Sequence, residues 1–137
     1  MRTQKEDIAL GEQNELSVKE SVEKLVGEEM VRQGGFNIMD FSNKSKTIYA
    51  ELKSRTIPST RFSSAIIGKN KIDFCNDPTK TYYFLFKYVD GLFYIKYDPK
   101  LFSTFRVKSD FVRSDRADCV SRPSEVVEIP RSLLVKI

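Results

Sequence analysis

The chain has 137 residues, a net charge of +4 and 40% hydrophobic residues, which is enough apolar material for one folded domain. It contains no histidine, so a Ser-His-Asp triad, a Cys-His dyad, a histidine-based zinc site and a histidine general base are excluded within one chain. No apolar run is long enough to span a bilayer, and no apolar signal region follows the polar N-terminus. We therefore expect a soluble intracellular protein whose positive charge is compatible with a polyanionic partner.

The first half of the chain predicts a helix followed by a hairpin. Apolar residues recur at helical spacing over 14–33, and two glycines at 34–35 would end that helix. Residues 36–43 and 47–53 have the composition of strands, and the polar run at 43–46 would form the turn between them.

The second half predicts a helix, a hairpin and a late strand. Apolar residues over 62–74 favour a second helix, and the aromatic runs at 81–88 and 92–97 flank an Asp-Gly turn signal. The apolar run at 82–86 is typical of a central strand that is covered on both faces, so core packing is favoured over a base-stacking surface. Residues 125–129 predict a last strand. This order indicates an α/β or α+β domain with a mixed sheet flanked by helices.

Strand 47–53 has one apolar face and one charged face. Side chains alternate along a strand, so Tyr49, Glu51 and Lys53 share a face, while Ala50 and Leu52 lie on the other and can pack against a helix. Glu51 and Lys53 would then extend into the same space.

A second carboxylate, Asp40, precedes the turn of this hairpin. In an antiparallel pair Asp40 lies level with Glu51 only if the turn centres on Ser45 and Lys46. A tighter turn would set Asp40 against Thr47 and separate the carboxylates. Two carboxylates at one position, completed by water and phosphate oxygens, suit a hard ion such as Mg²⁺ or Mn²⁺, and the neighbouring lysine can orient a hydroxide or stabilise charge on a phosphate.

An acidic residue two positions before a lysine is by itself a chance-level pattern. Two such triplets occur, and the other, Asp98-Pro99-Lys100, follows the predicted hairpin and has the composition of a turn. The apolar alternation, the upstream Asp40 and the flanking helices distinguish Glu51 and Lys53.

Asp40 with Glu51-x-Lys53, followed by Ser54-Arg55, resembles the PD-(D/E)XK nuclease superfamily, with Met39 in place of the motif's proline. The resemblance covers about residues 12–97 and implies a restriction-endonuclease-like α-β-β-β-α-β core, with 98–137 as a C-terminal extension of a single domain, 1–137. It implies that Asp40 and Glu51 hold the metal and that Lys53 is catalytic.

The resemblance also implies a glutamate on the first helix that reaches the metal. Glu15 is favoured because it continues the apolar stripe, Glu29 is an alternative, and a solvated helix face is the structural explanation for both.

Basic residues further along the chain are candidates for contacting nucleic acid. The resemblance implies a basic residue on the second helix, for which Lys71 is the first choice and Lys69 the second; favourable charge at a helix C-terminus explains them equally well. Arg55 and Arg61 could hold phosphates, or could be ordinary surface arginines.

The resulting hypothesis is a Mg²⁺- or Mn²⁺-dependent endonuclease that hydrolyses phosphodiester bonds in DNA, including a structure-specific or resolvase-like enzyme. The alternatives are a catalytically inactive nucleic-acid-binding module on the same fold and an assembly protein. DNA is the expected partner, RNA remains open, no membrane is expected, and a homodimer is an open alternative because small nucleases of this kind often pair.

Overall fold

The computed structural model describes residues 18–33, 39–111 and 124–137, and it shows an α+β fold in which helices flank a mixed sheet. Helix α1 is described over residues 18–26. The strands are β1 (Met30–Arg32), β2 (Phe41–Asn43), β3 (Ile48–Ser54), β4 (Ser64–Gly68), β5 (Thr81–Tyr88), β6 (Gly91–Lys96), β7 (Arg106–Phe111), β8 (Ser124–Pro130) and β9 (Val135–Lys136). The other helices are α2 (Lys69–Phe74), α3 (Pro99–Phe102) and a 3-10 turn at Arg131–Leu133.

Six strands form the larger sheet, in the order β1-β2-β3-β5-β6-β9. All neighbours are antiparallel except β3 and β5, which run parallel. Parallel neighbours need a long crossover connection, and here it consists of loop 55–63, strand β4 and helix α2. Residues 75–80 complete the crossover and return the chain to the large sheet at β5.

One face of the large sheet packs against α1. Val18 and Val22 of the helix share a buried cluster with Ala50 and Leu52 of β3 and Leu85 of β5. The prediction that the apolar face of β3 packs against a helix is confirmed. Glu51 and Lys53 alternate with these residues and therefore lie on the opposite face.

The opposite face of the large sheet is covered by a three-stranded sheet with the order β4-β8-β7. Phe84 and Phe86 of β5 are at most 1% exposed and share a cluster with buried residues of the small sheet, which are Ala65, Ile67, Val127 and Ile129. Strand β5 is therefore covered on both faces and its central aromatic side chains form core, as predicted.

The predicted first helix is wrong beyond residue 26. Gly27 has a φ of 81°, and its amide donates to the Glu23 carbonyl at 2.9 Å, which closes the last turn. Residues 30–32 then form β1, and Met30, fully buried, pairs with Asn43. The glycines at 34–35 lie outside the described residues.

The predicted second helix is wrong in its first half. Ser64–Gly68 form β4, in which Ala65 and Ile67 are buried in alternation, and only Lys69–Phe74 are helical. Strand β4 pairs with β8, which is far away in sequence. The predicted strand 81–88, its hairpin partner and the predicted strand at 125–129 are confirmed.

The C-terminal segment is integrated into both sheets. Strands β7 and β8 belong to the small sheet, and β9 adds to the edge of the large sheet beside β6. Asp98, interpreted as part of a turn, caps α3 by accepting from the Lys100 amide at 3.0 Å. No helix within the described ranges combines the length and apolar character needed to cross a membrane.

Candidate metal and phosphodiester site

The register of the β2–β3 hairpin brings Asp40 level with Glu51. Phe41 pairs with Ala50 and Ser42 with Tyr49, so the next pair outward is Asp40 with Glu51. The predicted turn centre is therefore confirmed. The Asp40 carboxylate accepts a hydrogen bond from the Leu52 amide at 2.8 Å, which ties it to β3 beside Glu51.

The side chain of Asn43 builds the turn that sets this register. Its Oδ1 accepts from the amides of Thr47 at 2.8 Å and Ile48 at 3.0 Å, and its Nδ2 donates to Glu28 at 2.8 Å. Asn43 is 2% exposed, so these bonds replace water that it has lost. The sequence indicates only that Asn43 belongs to a polar turn. An asparagine just before a short turn often hydrogen-bonds nearby backbone amides, and this preference could have pointed to its role in setting the register.

Glu51 is a buried carboxylate in the middle of the sheet. It is 2% exposed, and β3 lies between β2 and β5. Its Oε1 is buried and has no hydrogen-bond partner among the described residues, while its Oε2 lies 3.1 Å from the Lys71 Nζ and 3.9 Å from the Lys53 Nζ. Oε2 is thus ion-paired closely with Lys71 and more loosely with Lys53, and Oε1 lies on the side of the carboxylate that no described lysine occupies.

Burial and the neighbouring Asp40 charge raise the pKa of Glu51 from 4.5 to about 8. Lys53 and Lys71 act in the opposite direction but do not offset the loss of water. Burial likewise lowers the pKa of Lys53 below its ordinary value of 10.5, and the charge of Glu51 opposes that change. The site therefore binds protons more tightly at its carboxylate, and less tightly at its lysine, than the same groups do in water.

Helix α2 supplies the second lysine. It begins directly after β4, and its position at the end of the crossover brings Lys71 to Glu51. Lys69 does not join this group: its Nζ lies 3.0 Å from both carboxylate oxygens of Asp73 on the outer side of the helix. Of the two predicted lysines on this helix, the structure brings only Lys71 to the carboxylates.

The two predicted arginines are placed differently. Arg55 directly follows β3, and its charge contributes to lowering the pKa of Lys53, which places it near the site. Arg61 is exposed in the crossover loop, where its guanidinium lies 5.7 Å from the centre of the Phe62 ring. Arg61 is therefore associated with the loop and not with the carboxylates.

The glutamates considered on the first helix do not add a described ligand. Glu15 lies outside the described residues, and Glu29 is exposed in the link between α1 and β1. Met39, which stands where the motif has proline, is 2% exposed and belongs to the core beside the small sheet.

The donor set fits a hard divalent ion that keeps part of its water shell. Within the described ranges no group of three or more carboxylate, cysteine or histidine side chains converges, so the protein would supply Asp40 and Glu51. Mg²⁺ is commonly held by one or two carboxylates with water and phosphate oxygens, and a carboxylate oxygen such as Oε1 of Glu51 is an acceptor of the required type.

Comparison of the chain with protein-family models, with curated proteins and with solved structures found no match in any of the three.

Proposed function

We propose that this protein is a divalent-metal-dependent endonuclease that hydrolyses phosphodiester bonds in DNA. The observation that carries the proposal is the buried Glu51 carboxylate, which stands level with Asp40, is ion-paired with Lys71 and Lys53, and has one oxygen without a hydrogen-bond partner in the part of the chain that the structure describes. Burying a carboxylate in the centre of a sheet is unfavourable unless a cation or donor compensates it. Such a buried carboxylate does not stabilise the fold, so a catalytic role explains its presence better.

The order of elements supports the resemblance to the PD-(D/E)XK superfamily. Helix α1 is followed by the antiparallel β1-β2-β3, then by α2 and by β5, which is parallel to β3. Strand β4, which pairs in the small sheet, is an insertion relative to the implied α-β-β-β-α-β core.

Each residue has a distinct role in the proposed reaction. Asp40 and Glu51 would hold the ion, which when bound lowers the pKa of water and offsets charge on the phosphate. Lys53 would orient the attacking water and stabilise the negative charge that develops on the phosphate oxygens. Lys71, at 3.1 Å from Glu51, keeps that carboxylate in position and adds positive charge beside the phosphate.

The test is cleavage of supercoiled plasmid, branched DNA and single-stranded DNA in Mg²⁺ or Mn²⁺, with RNA oligonucleotides in parallel to identify the nucleic acid. Lys53→Ala and Glu51→Gln are each expected to lower the cleavage rate by at least about 100-fold. Lys24→Ala is the matched control, because this lysine is exposed and pairs only loosely with Glu20 at 3.5 Å.

The two lysines of α2 provide a second matched pair. Lys71→Ala should lower the rate, whereas Lys69→Ala, which removes only the contact with Asp73, should leave the chemical step unchanged. Absence of cleavage with every metal and substrate, or cleavage that survives Lys53→Ala, contradicts the proposal. DNA binding without cleavage would instead favour the inactive binding module.

A further inference from the structure

The crossover loop 55–63 is held firmly against the rest of the fold. The Asp90 carboxylate accepts hydrogen bonds from the Ser59 amide at 2.7 Å and the Ser59 hydroxyl at 2.6 Å. At the end of the loop the Arg131 amide donates to the Ser63 carbonyl at 2.9 Å. Ser59 is 6% exposed, so the middle of the loop is packed as well as bonded. The loop is therefore anchored at Ser59 and at Ser63.

The same loop, 55–63, exposes an aromatic side chain to solvent. Phe62 is 60% exposed, and the Arg61 guanidinium lies 5.7 Å from its ring centre. A single exposed aromatic residue is ordinary on a protein surface. Here, however, the ring also forms part of the wall of a cavity that Arg55 lines, and the Arg61 guanidinium lies beside the ring.

The cavity has a volume of about 130 Å³ and is lined by Arg55, Phe62, Tyr88 and the apolar and hydroxyl side chains of loop 55–63 and β4. A cavity of about 150 Å³ holds benzene, so this slightly smaller cavity admits the edge of one planar ring, and the rest of a base would lie against the exposed Phe62. Apolar walls suit the faces of a planar ring, and hydroxyl and guanidinium groups suit a polar edge and a phosphate. This combination matches a nucleobase with its phosphate more closely than it matches an aliphatic side chain.

The cavity lies close to the candidate site. Glu51 and Arg55 are four residues apart on one extended segment, about 13 Å along the strand direction. Lys53 stands between them on the same segment. A nucleic-acid strand with one phosphate at Glu51 would therefore pass the cavity within a few nucleotides.

We propose that the cavity binds one unpaired nucleobase that flanks the scissile phosphate, with Phe62 stacking on the base and Arg55 and Arg61 contacting the adjoining phosphates. The inference rests on the proposed function, and it makes DNA with single-stranded or junction segments the substrate class. A fully paired duplex keeps its bases stacked on each other and offers none to the cavity.

The test measures binding by the full chain in EDTA, so that no cleavage is required. The probes are a blunt duplex and the same duplex with a single-stranded tail that carries 2-aminopurine, a fluorescent base whose emission reports stacking. Phe62→Ala should weaken binding of the tailed probe by about tenfold and remove the fluorescence change, with the duplex affinity unchanged. Phe62→Trp should restore both. Val107→Ala, at another exposed apolar residue (45% exposed), is the control.

The outcomes separate this inference from the proposed function. Selective binding that depends on Phe62, without cleavage in any metal, supports the base-binding cavity and contradicts the nuclease. Equal loss of both probes, no loss in Phe62→Ala, or the same loss in Val107→Ala overturns the inference while cleavage remains a separate result. A dimer in solution that becomes monomeric in Phe62→Ala also overturns it, because the cavity would then be an interface between copies.

Discussion

Two neighbouring hairpins of the large sheet, β2–β3 and β5–β6, bury side chains of opposite character. The β2–β3 hairpin buries Glu51, one of whose oxygens has no hydrogen-bond partner within the described ranges, whereas the β5–β6 hairpin buries the rings of Phe84 and Phe86. Burial of a carboxylate costs free energy, and burial of an aromatic side chain stabilises the fold. The β5–β6 hairpin therefore stabilises the sheet. The β2–β3 hairpin, which adjoins it through the β3–β5 pairing, holds a buried charge that lowers the free energy of unfolding.

The turns of the two hairpins differ in the same way. The β5–β6 turn uses Gly91, whose φ of 152° favours glycine. The β2–β3 turn places Lys46 at a φ of 57° and depends on the buried Asn43 side chain to hold that conformation. The β2–β3 hairpin is thus specified by side-chain hydrogen bonds, and the β5–β6 hairpin by the backbone preference of glycine.

Phe84→Ala should lower the free energy of unfolding by about 3–5 kcal/mol, because it leaves a cavity in the core between the two sheets. Urea denaturation followed by circular dichroism measures the change. Val89→Ala, at a residue of the same hairpin that is 66% exposed, should change stability by less than about 0.5 kcal/mol. Similar losses in both variants would contradict the stabilising role assigned to the β5–β6 core.

Saturating Mg²⁺ should stabilise the protein by about 2.7 kcal/mol at 100 times its dissociation constant, since the ion binds only the folded site. Glu51→Gln should abolish this stabilisation, because it removes the charge next to Asp40. Glu20→Gln, at a glutamate on α1 whose side chain is 83% exposed, should retain it. Thermal unfolding with and without the ion provides the measurement, and equal stabilisation of all three proteins would place the ion elsewhere.

Asn43→Ala should destabilise the protein by about 2 kcal/mol, because the amides of Thr47 and Ile48 and the carboxylate of Glu28 lose their buried partner. It should also reduce cleavage more than its effect on stability explains, since Asp40 would no longer be held level with Glu51. Lys44→Ala, at an exposed residue of the same turn, is the control. An unchanged unfolding free energy in Asn43→Ala would show that the strands alone set the register.

Without metal, stability should fall as pH rises from about 4.5 to 8. In that range the folded state keeps the Glu51 proton and the unfolded state releases it, which gives a slope of up to about 1.4 kcal/mol per pH unit. The lowered pKa of Lys53 has the opposite effect. As pH rises toward 10.5, the folded state releases the Lys53 proton before the unfolded state does, so stability increases. Denaturant unfolding in EDTA across this range should show a smaller slope in Glu51→Gln. Equal slopes would contradict the raised pKa.

Lys46→Gly should stabilise the protein by about 1 kcal/mol, because glycine adopts the left-handed conformation without the steric cost that a side chain carries. Lys44→Gly is the control in the same turn, at a residue without a positive φ, and should give no gain. Urea midpoints of the two variants decide the comparison, and a gain in Lys44→Gly alone would contradict it.

Features set by neighbouring residues could be predicted from the sequence. The register that pairs Asp40 with Glu51 follows from the length of the polar turn, and the β5–β6 hairpin follows from aromatic strands around an Asp-Gly pair. The approach of Lys71 to Glu51 was anticipated only through a family resemblance. The pairing of Lys69 with Asp73 instead was not distinguished, because both lysines lie on the same short helix.

The two wrong predictions both replaced a strand with a helix. Met30 continues the helical spacing of Val22 and Val26, yet it lies in β1, because Gly27 ends the helix and the partner of Met30 is Asn43. Ser64–Gly68 contain apolar residues that suit either period, and only pairing with β8 makes them a strand.

The amino-acid sequence is sufficient to predict the charged face of β3, the turn that places Asp40, the hairpin at 81–96 and the absence of histidine chemistry. These features depend on side-chain alternation and on short turns, which act between near neighbours. The folded structure was needed to show that β4 joins β8, that α2 brings Lys71 and not Lys69 to Glu51, and that Asp90 fixes the loop carrying Phe62. Each of these contacts joins residues that are distant in the chain, and their stability comes from burial against partners that no local pattern specifies.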